Sequence, residues 1–259
     1  MKRIGLYAHY DDRGQVKAYV LHHLRALREV CDAVWFISNA ELTEAELSKA
    51  TALCERAWTR ENVGFDFAMW KESIERLDLD AWDELALTNS SVLGPLWPLA
   101  ESFAKMDRPP CDVWGMTDNF DTEWHLQSYF LVFRSRALKS EAFSRFWNAV
   151  DALKDKNAVI ETYECGLARF FREAGFDVRA LVAQETLAKP LLWRFRRQKW
   201  QDSTLSRPLA LLDRRMPYVK VHLLRDNPGR VRLAPIYEAM EHAGYDLGLI
   251  EIDPRPPPT

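Results

Sequence analysis

The first ninety residues alternate short apolar runs with segments whose apolar side chains recur at helical spacing. The predicted strands are residues 4–8, 33–37, 54–59 and 84–88, and the predicted helices are residues 16–30, a segment from Thr43 onward, and residues 64–77. Thr43 and Glu46 have the spacing of a capping box, which marks a helix start. Strands that alternate with helices predict an α/β fold with a mainly parallel central sheet flanked by helices.

The second half of the chain is less regular. Its predicted strands are residues 112–116, 127–133 and 176–180, and its predicted helices are residues 143–153 and 163–174, the second ended by Gly175. From Lys189 the periodicity weakens, so we divide the chain into a core of residues 1–188 and a C-terminal segment of residues 189–259.

Composition and charge narrow the class of protein. The 259 residues are 47% hydrophobic and 28% charged, which is typical of a globular protein with its own core. The formal net charge of −3 argues against a general nucleic-acid binder. Four cysteines without C-x-x-C spacing predict reduced thiols, and no run of about 20 apolar residues or signal peptide pattern is visible. The expectation is a cytoplasmic protein.

The net charge conceals a basic segment. Residues 189–232 contain twelve Lys and Arg against three Asp, about +9, which leaves about −12 for the rest of the chain. Residues 193–200 interleave cations with Trp and Phe, a mixture that suits the inner face of the cytoplasmic membrane. The alternative is a solvated basic face with its aromatic side chains packed inward.

Ligands of parallel sheets bind at the carboxyl ends of the strands, and three polar segments follow predicted strands. They are Ser38-Asn39, residues 61–66 and Asn89-Ser90-Ser91. In the second segment, Gly64 would let a ligand approach the backbone closely. The alternative reading of its carboxylate, Asp66, is that it only complements the dipole of the helix that follows. The third segment suits sugar or phosphate recognition, or is a turn that leads into Gly94-Pro95.

Two groups of acidic residues could carry chemistry. Asp118, Asp121, Glu123 and His125 crowd one loop and have the donor types of a divalent cation site, the alternative being solvated loop charges. Glu161 and Glu164, three residues apart at a helix start, would lie on one face as candidates for a general base, or simply favour the helix dipole.

Several sequence blocks occur in an order that resembles the rhamnan synthesis F family. They include SN at 38–39 with EL at 41–42, RENVGFDF at 60–67, LTNSSVLGPL at 87–96, DVWGMT at 112–117, HLQSYF at 125–130, YECGL at 163–167, and PYVK at 217–220 with LRDNP at 224–228. Each block alone is short, but together they run from about Tyr7 to Pro228 and cover most of the chain.

The resemblance implies a glycosyltransferase with a GT-A-like nucleotide-diphospho-sugar transferase fold. Members of the family build rhamnose-containing polysaccharides and lipopolysaccharide O-antigen chains in bacteria. The implied donor is dTDP-rhamnose, the acceptor is a growing or lipid-linked glycan, and the transfer is inverting. Residues 1–188 would form the catalytic core, while residues 189–259 would complete the domain and contact acceptor or membrane.

The resemblance also implies roles for individual residues. The expected nucleotide-sugar contacts are Ser38, Asn39, Asn62, Gly64, Asp66, Asn89, Ser90, Ser91, His125 and Gln127. Glu164 would be the catalytic base, with Glu161 as the second choice. An inverting transfer also needs positive charge on the departing diphosphate, for which the candidates are Lys220, His222 and Arg225.

One departure from the family pattern bears on the cofactor. Ser90 stands where the family commonly has an Asp of the metal-binding motif, and a hydroxyl is a weak ligand for Mg²⁺ or Mn²⁺. We therefore expect metal-independent transfer, with Asp118 and Asp121 as the ligands of any metal. The same departure keeps open a catalytically inactive module that binds a glycan or a partner. A nucleotidyltransferase is disfavoured because no acidic pair ends a strand before residue 112.

Overall fold

The computed structural model describes residues 1–120, 123–187 and 202–252. The strands are β1 Arg3–His9, β2 Ala33–Ser38, β3 Arg56–Thr59, β4 Glu84–Asn89, β5 Val92–Leu93, β6 Val113–Asn119, β7 His125–Leu126, β8 Phe130–Arg134, β9 Val178–Val182 and β10 Val219–Lys220. The helices are α1 Ala18–Arg28, α2 Glu44–Thr51, α3 Phe65–Ile74, α4 Leu99–Met106, α5 Ser135–Leu138, α6 Glu141–Asn148, α7 Lys156–Val159, α8 Cys165–Glu173, α9 Ser203–Ser206, α10 Pro208–Leu212, α11 Val221–Asp226 and α12 Ala234–His242.

The central sheet has the strand order β3-β2-β1-β4-β8-β6-β7, with β9 paired to β6. Strands β1 to β4 are mutually parallel and β9 is parallel to β6, whereas β8 runs antiparallel to β4 and β6. The predicted α/β architecture with a mainly parallel sheet is therefore confirmed. Strand order reverses between β1 and β4, and such a switch point opens a crevice at the carboxyl edge of the sheet.

Both faces of the sheet are buried because successive side chains of a strand point to opposite sides. Tyr7 and Phe36 pack on the face covered by α1 and α12, and Leu6 and Ile37 pack on the face covered by α3 and α8. Every residue of β1, β2 and β4 is buried, which explains why these strands stand out in the sequence as continuous apolar runs.

The helix starts and ends are only partly as predicted. Thr43 caps α2 by accepting a hydrogen bond from the Glu46 N–H at 3.2 Å, but the Glu46 carboxylate accepts from the Val16 N–H at 2.7 Å. This half of the expected capping box thus joins α2 to the loop before α1. Gly175, with φ +83°, ends α8 as predicted.

Three predicted elements of the second half were wrong in their bounds. The strand expected at 127–133 is β8, which begins only at Phe130. Before it, the Gln127 N–H bonds the Thr117 carbonyl of β6, and the Ser128 N–H leaves the sheet and donates to Glu164. The helix expected at 143–153 ends at Asn148, and the strand expected at 176–180 is displaced to Val178–Val182. The helix expected at 163–174 is α8, preceded by a π-helical turn at Ile160–Glu164.

Residues 202–252 pack on the α1 face of the sheet. Tyr218, Leu223, Ile236 and Met240 are buried in the same hydrophobic cluster as Tyr7. Strand β10 pairs antiparallel with β5, which places Lys220 opposite Val92. Within the described parts of the chain, none of the helices has both the length and the apolar character needed to cross a bilayer. The aromatic and basic residues 193–200 lie outside the described residues.

Candidate active site

A cleft of about 1310 Å³ opens at the carboxyl ends of β1 and β4. Its walls come from the loop after β1, the turn after β4, the start of α3, the π-helical turn and the segment from β10 to α11. Ten residues predicted from the sequence line it: Asn39, Asn62, Asp66, Asn89, Ser90, Ser91, Glu164, Lys220, His222 and Arg225.

Asp66 and the turn after β4 form one hydrogen-bonded unit. The Asn89 Nδ2 donates to Asp66 Oδ2 at 2.7 Å, and Asn89 Oδ1 accepts from the N–H and the hydroxyl of Ser91 at 3.1 and 2.6 Å. Burial raises the pKa of the Asp66 carboxyl to about 6, and the positive charges of Lys156 and Lys220 lessen that rise. Asp66 therefore lies within electrostatic reach of cations on two different walls.

Ser90 uses its hydroxyl to hold the loop that follows β1. Its Oγ accepts from the Tyr10 N–H at 3.1 Å and donates to the Tyr10 carbonyl at 3.2 Å. The Ser90 carbonyl accepts from the Tyr19 hydroxyl at 3.2 Å. The residue that replaces the family's carboxylate thus joins the ends of β1 and β4.

Glu164 is a carboxylate with one fixed oxygen. Its Oε2 accepts from the Ser128 N–H at 3.0 Å and from the Ser128 hydroxyl, while Oε1 lies 4.0 Å from His125 Nε2. Glu161 is exposed and does not line the cleft, so the two glutamates do not share one functional face as predicted. The cause is the π-helical turn, whose wider hydrogen-bond spacing changes the direction in which successive side chains point.

Cationic side chains line the cleft near the β5–β10 pair. The Lys220 Nζ lies 4.8 Å from the centre of the Tyr129 ring. His222 Nδ1 and Arg225 Nε both bond Asp226 Oδ2, at 2.7 and 2.9 Å. Although burial acts in the other direction, these two hydrogen bonds hold the pKa of Asp226 below its usual range. Since Arg225 bonds Asp226 through Nε, its terminal nitrogens can still donate to an anion.

Sequence reasoning missed several residues of the cleft. Lys156 lines it from the start of α7, Ser128 fixes Glu164, and Tyr10 and Phe65 add aromatic rings. Lys156 and Ser128 lie in no strand-end segment that the sequence singled out. Tyr10 follows the first predicted strand, and the switch-point rule applied to that strand would have found it.

Four of the predicted nucleotide-sugar contacts lie outside the cleft lining. Ser38 is buried and bonds His9 Nδ1 at 2.9 Å, and burial lowers the pKa of His9 to about 4. Gln127 Nε2 donates to Asp202 Oδ2 at 2.9 Å, and Asp202 does line the cleft. His125 is buried behind Glu164.

Gly64, the fourth, is required by packing and not by ligand approach. Its φ is +77°, and an added Cβ would lie 2.4 Å from the Ala68 Cβ and 2.7 Å from the Ala152 Cα. Both distances are below any normal contact, so only glycine fits at the start of α3.

The described residues do not form a divalent cation site. Asp118 accepts from Trp124 Nε1 at 2.8 Å and from the Gln184 N–H at 2.6 Å, so each of its oxygens already holds the fold. Glu123 pairs with Arg169 at 2.7 Å, and Asp121 lies outside the described residues. Across residues 1–120, 123–187 and 202–252 no group of three or more His, Cys, Asp or Glu could hold a metal ion. This donor set does not fit Mg²⁺ or Mn²⁺.

The fold and the cleft define an α/β protein with a ligand crevice at a switch point of its sheet. Residues 34–253 match the sequence profile of rhamnan synthesis protein F. The chain therefore belongs to the rhamnan synthesis F family.

Two curated relatives are each 26% identical to this chain. The uncharacterized protein y4gN of Sinorhizobium fredii (strain NBRC 101917 / NGR234) matches over 186 residues, which are 70% of this chain and 48% of that protein. The virulence protein VirA of Vibrio anguillarum (strain ATCC 68554 / 775) matches over 211 residues, with coverage of 72% and 67%. The chain thus spans about half the length of the first relative and about two thirds of the second.

Solved structures overlap with part of the backbone. The glycosyltransferase GlyE of Streptococcus pneumoniae TIGR4 has a TM-score of 0.43 and 13% identity, and the match covers 71% of this chain and 45% of GlyE. The 4-diphosphocytidyl-2C-methyl-D-erythritol synthase of Anaerococcus prevotii DSM 20548 has a TM-score of 0.42 and 10% identity, with coverage of 70% and 87%.

Proposed function

We propose that the protein transfers a sugar from a nucleotide-diphospho-sugar to a growing glycan. The observation that carries this proposal is the meeting, in one cleft at the strand ends, of a fixed carboxylate and several cations. Glu164 is oriented by Ser128, and Lys220, His222 and Arg225 line the same space. Membership of the rhamnan synthesis F family supports glycosyl transfer as the reaction.

In the proposed reaction Glu164 acts as the general base. Its oxygen takes the proton of the acceptor hydroxyl while that hydroxyl oxygen attacks the anomeric carbon of the donor sugar. The bond from that carbon to the diphosphate oxygen breaks, and the electron pair leaves with the diphosphate. Attack from the side opposite the leaving group inverts the anomeric carbon. Lys220, Arg225 and His222 stabilise the charge that develops on the diphosphate.

The family name, rhamnan synthesis protein F, supports rhamnose as the sugar, and we propose dTDP-rhamnose as its donor. We further propose that the acceptor is a glycan or lipid-linked glycan of a cell-surface polysaccharide or O-antigen. Transfer to a lipid-linked acceptor would take place in the cytoplasm, at the inner face of the cytoplasmic membrane. There the interleaved cations and aromatic residues of the sequence at 193–200 would suit anionic lipid headgroups.

The first prediction compares the two glutamates of the π-helical turn. Glu164→Gln keeps an acceptor for Ser128 but cannot take a proton, so we expect transfer to fall roughly 10²–10⁴-fold while donor binding persists. Glu161→Gln alters an exposed side chain outside the cleft lining, so transfer is expected to stay within about twofold of wild type. Sugar transfer is measured by nucleotide release, and donor binding by calorimetry.

Wild-type turnover in the Glu164→Gln variant would refute the assignment of the base. If the wild-type protein binds nucleotide sugar and glycan but releases no nucleotide, it is instead a catalytically inactive binding module. That is the alternative left open by Ser90 in place of the family's Asp.

A further inference from the structure

Tyr10 is an exposed aromatic side chain at the mouth of the cleft. It is 48% exposed, whereas Tyr19, Phe67 and Tyr129 of the same lining are buried. Within the described residues the Tyr10 ring packs on no other aromatic ring. Exposing so much apolar area at an otherwise well-packed strand end costs free energy that a ligand would recover by covering the ring.

The backbone that carries this ring is fixed. Both the N–H and the carbonyl of Tyr10 are bonded to the Ser90 hydroxyl, at 3.1 and 3.2 Å. Ser90 is itself held, since its N–H donates to the Ala8 carbonyl at 3.1 Å and its carbonyl accepts from Tyr19. Binding would therefore cost little ordering of the loop, because the platform is already held in place before the ligand arrives.

The position of the ring favours a nucleobase as its partner. Tyr10 directly follows β1, on the crevice where strand order reverses, and open α/β sheets bind nucleotides at such crevices. The cations that suit phosphate, Lys220 and Arg225, come from another wall of the same cleft, and Glu164 comes from a third. A nucleotide-diphospho-sugar has its base at one end and its reacting sugar at the other, with phosphates between.

We propose that Tyr10 stacks on the nucleobase of the donor and that Ser90 is the residue that positions it. This inference rests on the proposed function for the presence of a nucleotide donor. It gives Ser90 a purpose other than metal binding: a single hydroxyl both accepts from and donates to the Tyr10 backbone, which a carboxylate cannot do.

Calorimetric titration with UDP, dTDP and GDP, beside inorganic pyrophosphate, tests the stacking. Tyr10→Ala should raise the Kd of the tightest nucleoside diphosphate roughly 10-fold, because base stacking on an aromatic ring is lost. The Kd of pyrophosphate, which has no base, should not change. Tyr10→Phe keeps the ring and should stay within about twofold of wild type. Leu209→Ala, which truncates another exposed apolar side chain outside the cleft, is the matched control and should change neither constant.

Ser90→Ala tests the positioning role separately. It leaves the Tyr10 ring intact but removes both bonds to the Tyr10 backbone, so nucleoside diphosphate binding should weaken about 3- to 10-fold with pyrophosphate unaffected. In the double variant Ser90→Ala/Tyr10→Ala the two losses should not add, because both act through the same ring.

An unchanged nucleoside diphosphate Kd in Tyr10→Ala would overturn the inference. So would an equal loss of pyrophosphate binding, or a rise only in the KM of the glycan acceptor, since each places the ring away from the base. If any of these results is found while the wild-type protein still binds nucleotide and transfers sugar, only the stacking inference fails and the proposed function is unaffected. Failure of the wild type to bind any of the three nucleotides would overturn both.

Discussion

At Asp66, desolvation and electrostatic attraction act against each other. The side chain is half-buried at the start of α3, and the desolvation of its carboxyl disfavours the charged form, while Asn89 donates to it and Lys156 and Lys220 attract it. Burial prevails, and the pKa rises to about 6. Such a carboxyl changes charge near neutral pH, which an exposed aspartate does not do.

The second prediction follows from this pKa. Because the folded pKa lies above the unfolded one, the stability that protonated Asp66 contributes is fully present below pH ~4 and is lost as the pH rises through ~6. Asp66→Asn, which is neutral at every pH, should therefore be more stable than wild type at pH 8, by about 1–2 kcal/mol given the partial exposure of the side chain. Urea denaturation between pH 4 and 8 measures the difference, which should shrink as the pH falls. A constant difference over that range would contradict the raised pKa.

At the scale of elements, the two edges of the sheet formed by β1, β4 and β8 have different roles: one borders the cleft and the other carries a buried ion-pair network. The carboxyl ends of β1 and β4 border the cleft. At the opposite edge, Glu84 of β4 is 2% exposed in its side chain and pairs with Arg3 of β1 at 2.6 Å and with Arg134 of β8 at 3.0 Å. One carboxylate therefore joins three neighbouring strands at the edge opposite the cleft.

The third prediction tests this separation of roles. Glu84→Gln removes the counterion of the largely buried Arg3 guanidinium and one of the two carboxylates that pair with Arg134, the other being Asp107 at 2.6 Å. The unfolding free energy should therefore fall by about 3 kcal/mol. Binding of nucleoside diphosphates by the folded variant should not change, because the substitution lies at the other edge of the sheet. Denaturant unfolding and calorimetry are the two measurements.

Glu75→Gln serves as the control for removing a negative charge. Glu75 is 57% exposed and lies 4.0 Å from Lys71, so its loss should change stability by less than about 1 kcal/mol. An equal loss of unfolding free energy in both variants would mean that the ion pairs of Glu84 contribute no more to stability than an exposed surface charge.

For the whole molecule, the question is whether a metal ion or side-chain cations stabilise the diphosphate of the proposed donor. The answer depends on which side chains are free of other hydrogen bonds. Ser90 is committed to Tyr10, and Asp118 to Trp124 and Gln184. Lys156, Lys220 and Arg225 reach the cleft from separate segments of the chain. In the described part of the protein these cations line the cleft, whereas no group of three or more His, Cys, Asp or Glu is arranged to hold a metal ion.

The fourth prediction concerns the response to chelation. We expect EDTA to leave sugar transfer within about twofold of its untreated rate, because side-chain cations take the role that a metal has in many transferases. Nucleotide release with and without EDTA is the measurement. Complete loss that Mn²⁺ or Mg²⁺ restores would show that the loop from Asp118 to His125, or another carboxylate set, supplies the ligands.

The sequence by itself determined the alternation of strands and helices in the first half, because β1, β2 and β4 are buried on both faces and so are continuous apolar runs. It also located the turn after β4 and the start of α3, since polar residues at the ends of parallel strands meet at one edge. It did not predict β5, β10 or the helices after residue 202, whose short lengths leave little periodicity.

Only the tertiary structure decided which of the candidate groups meet. Ser90 bonds Tyr10 across eighty positions of sequence, and Ser128 fixes Glu164 across thirty-six. A π-helical turn directs Glu164 and not Glu161 into the cleft, and the pairing of β10 with β5 brings Lys220 to it. Local spacing carries no information on such contacts, because they are set by how separate elements pack and not by the residues next to them in the chain.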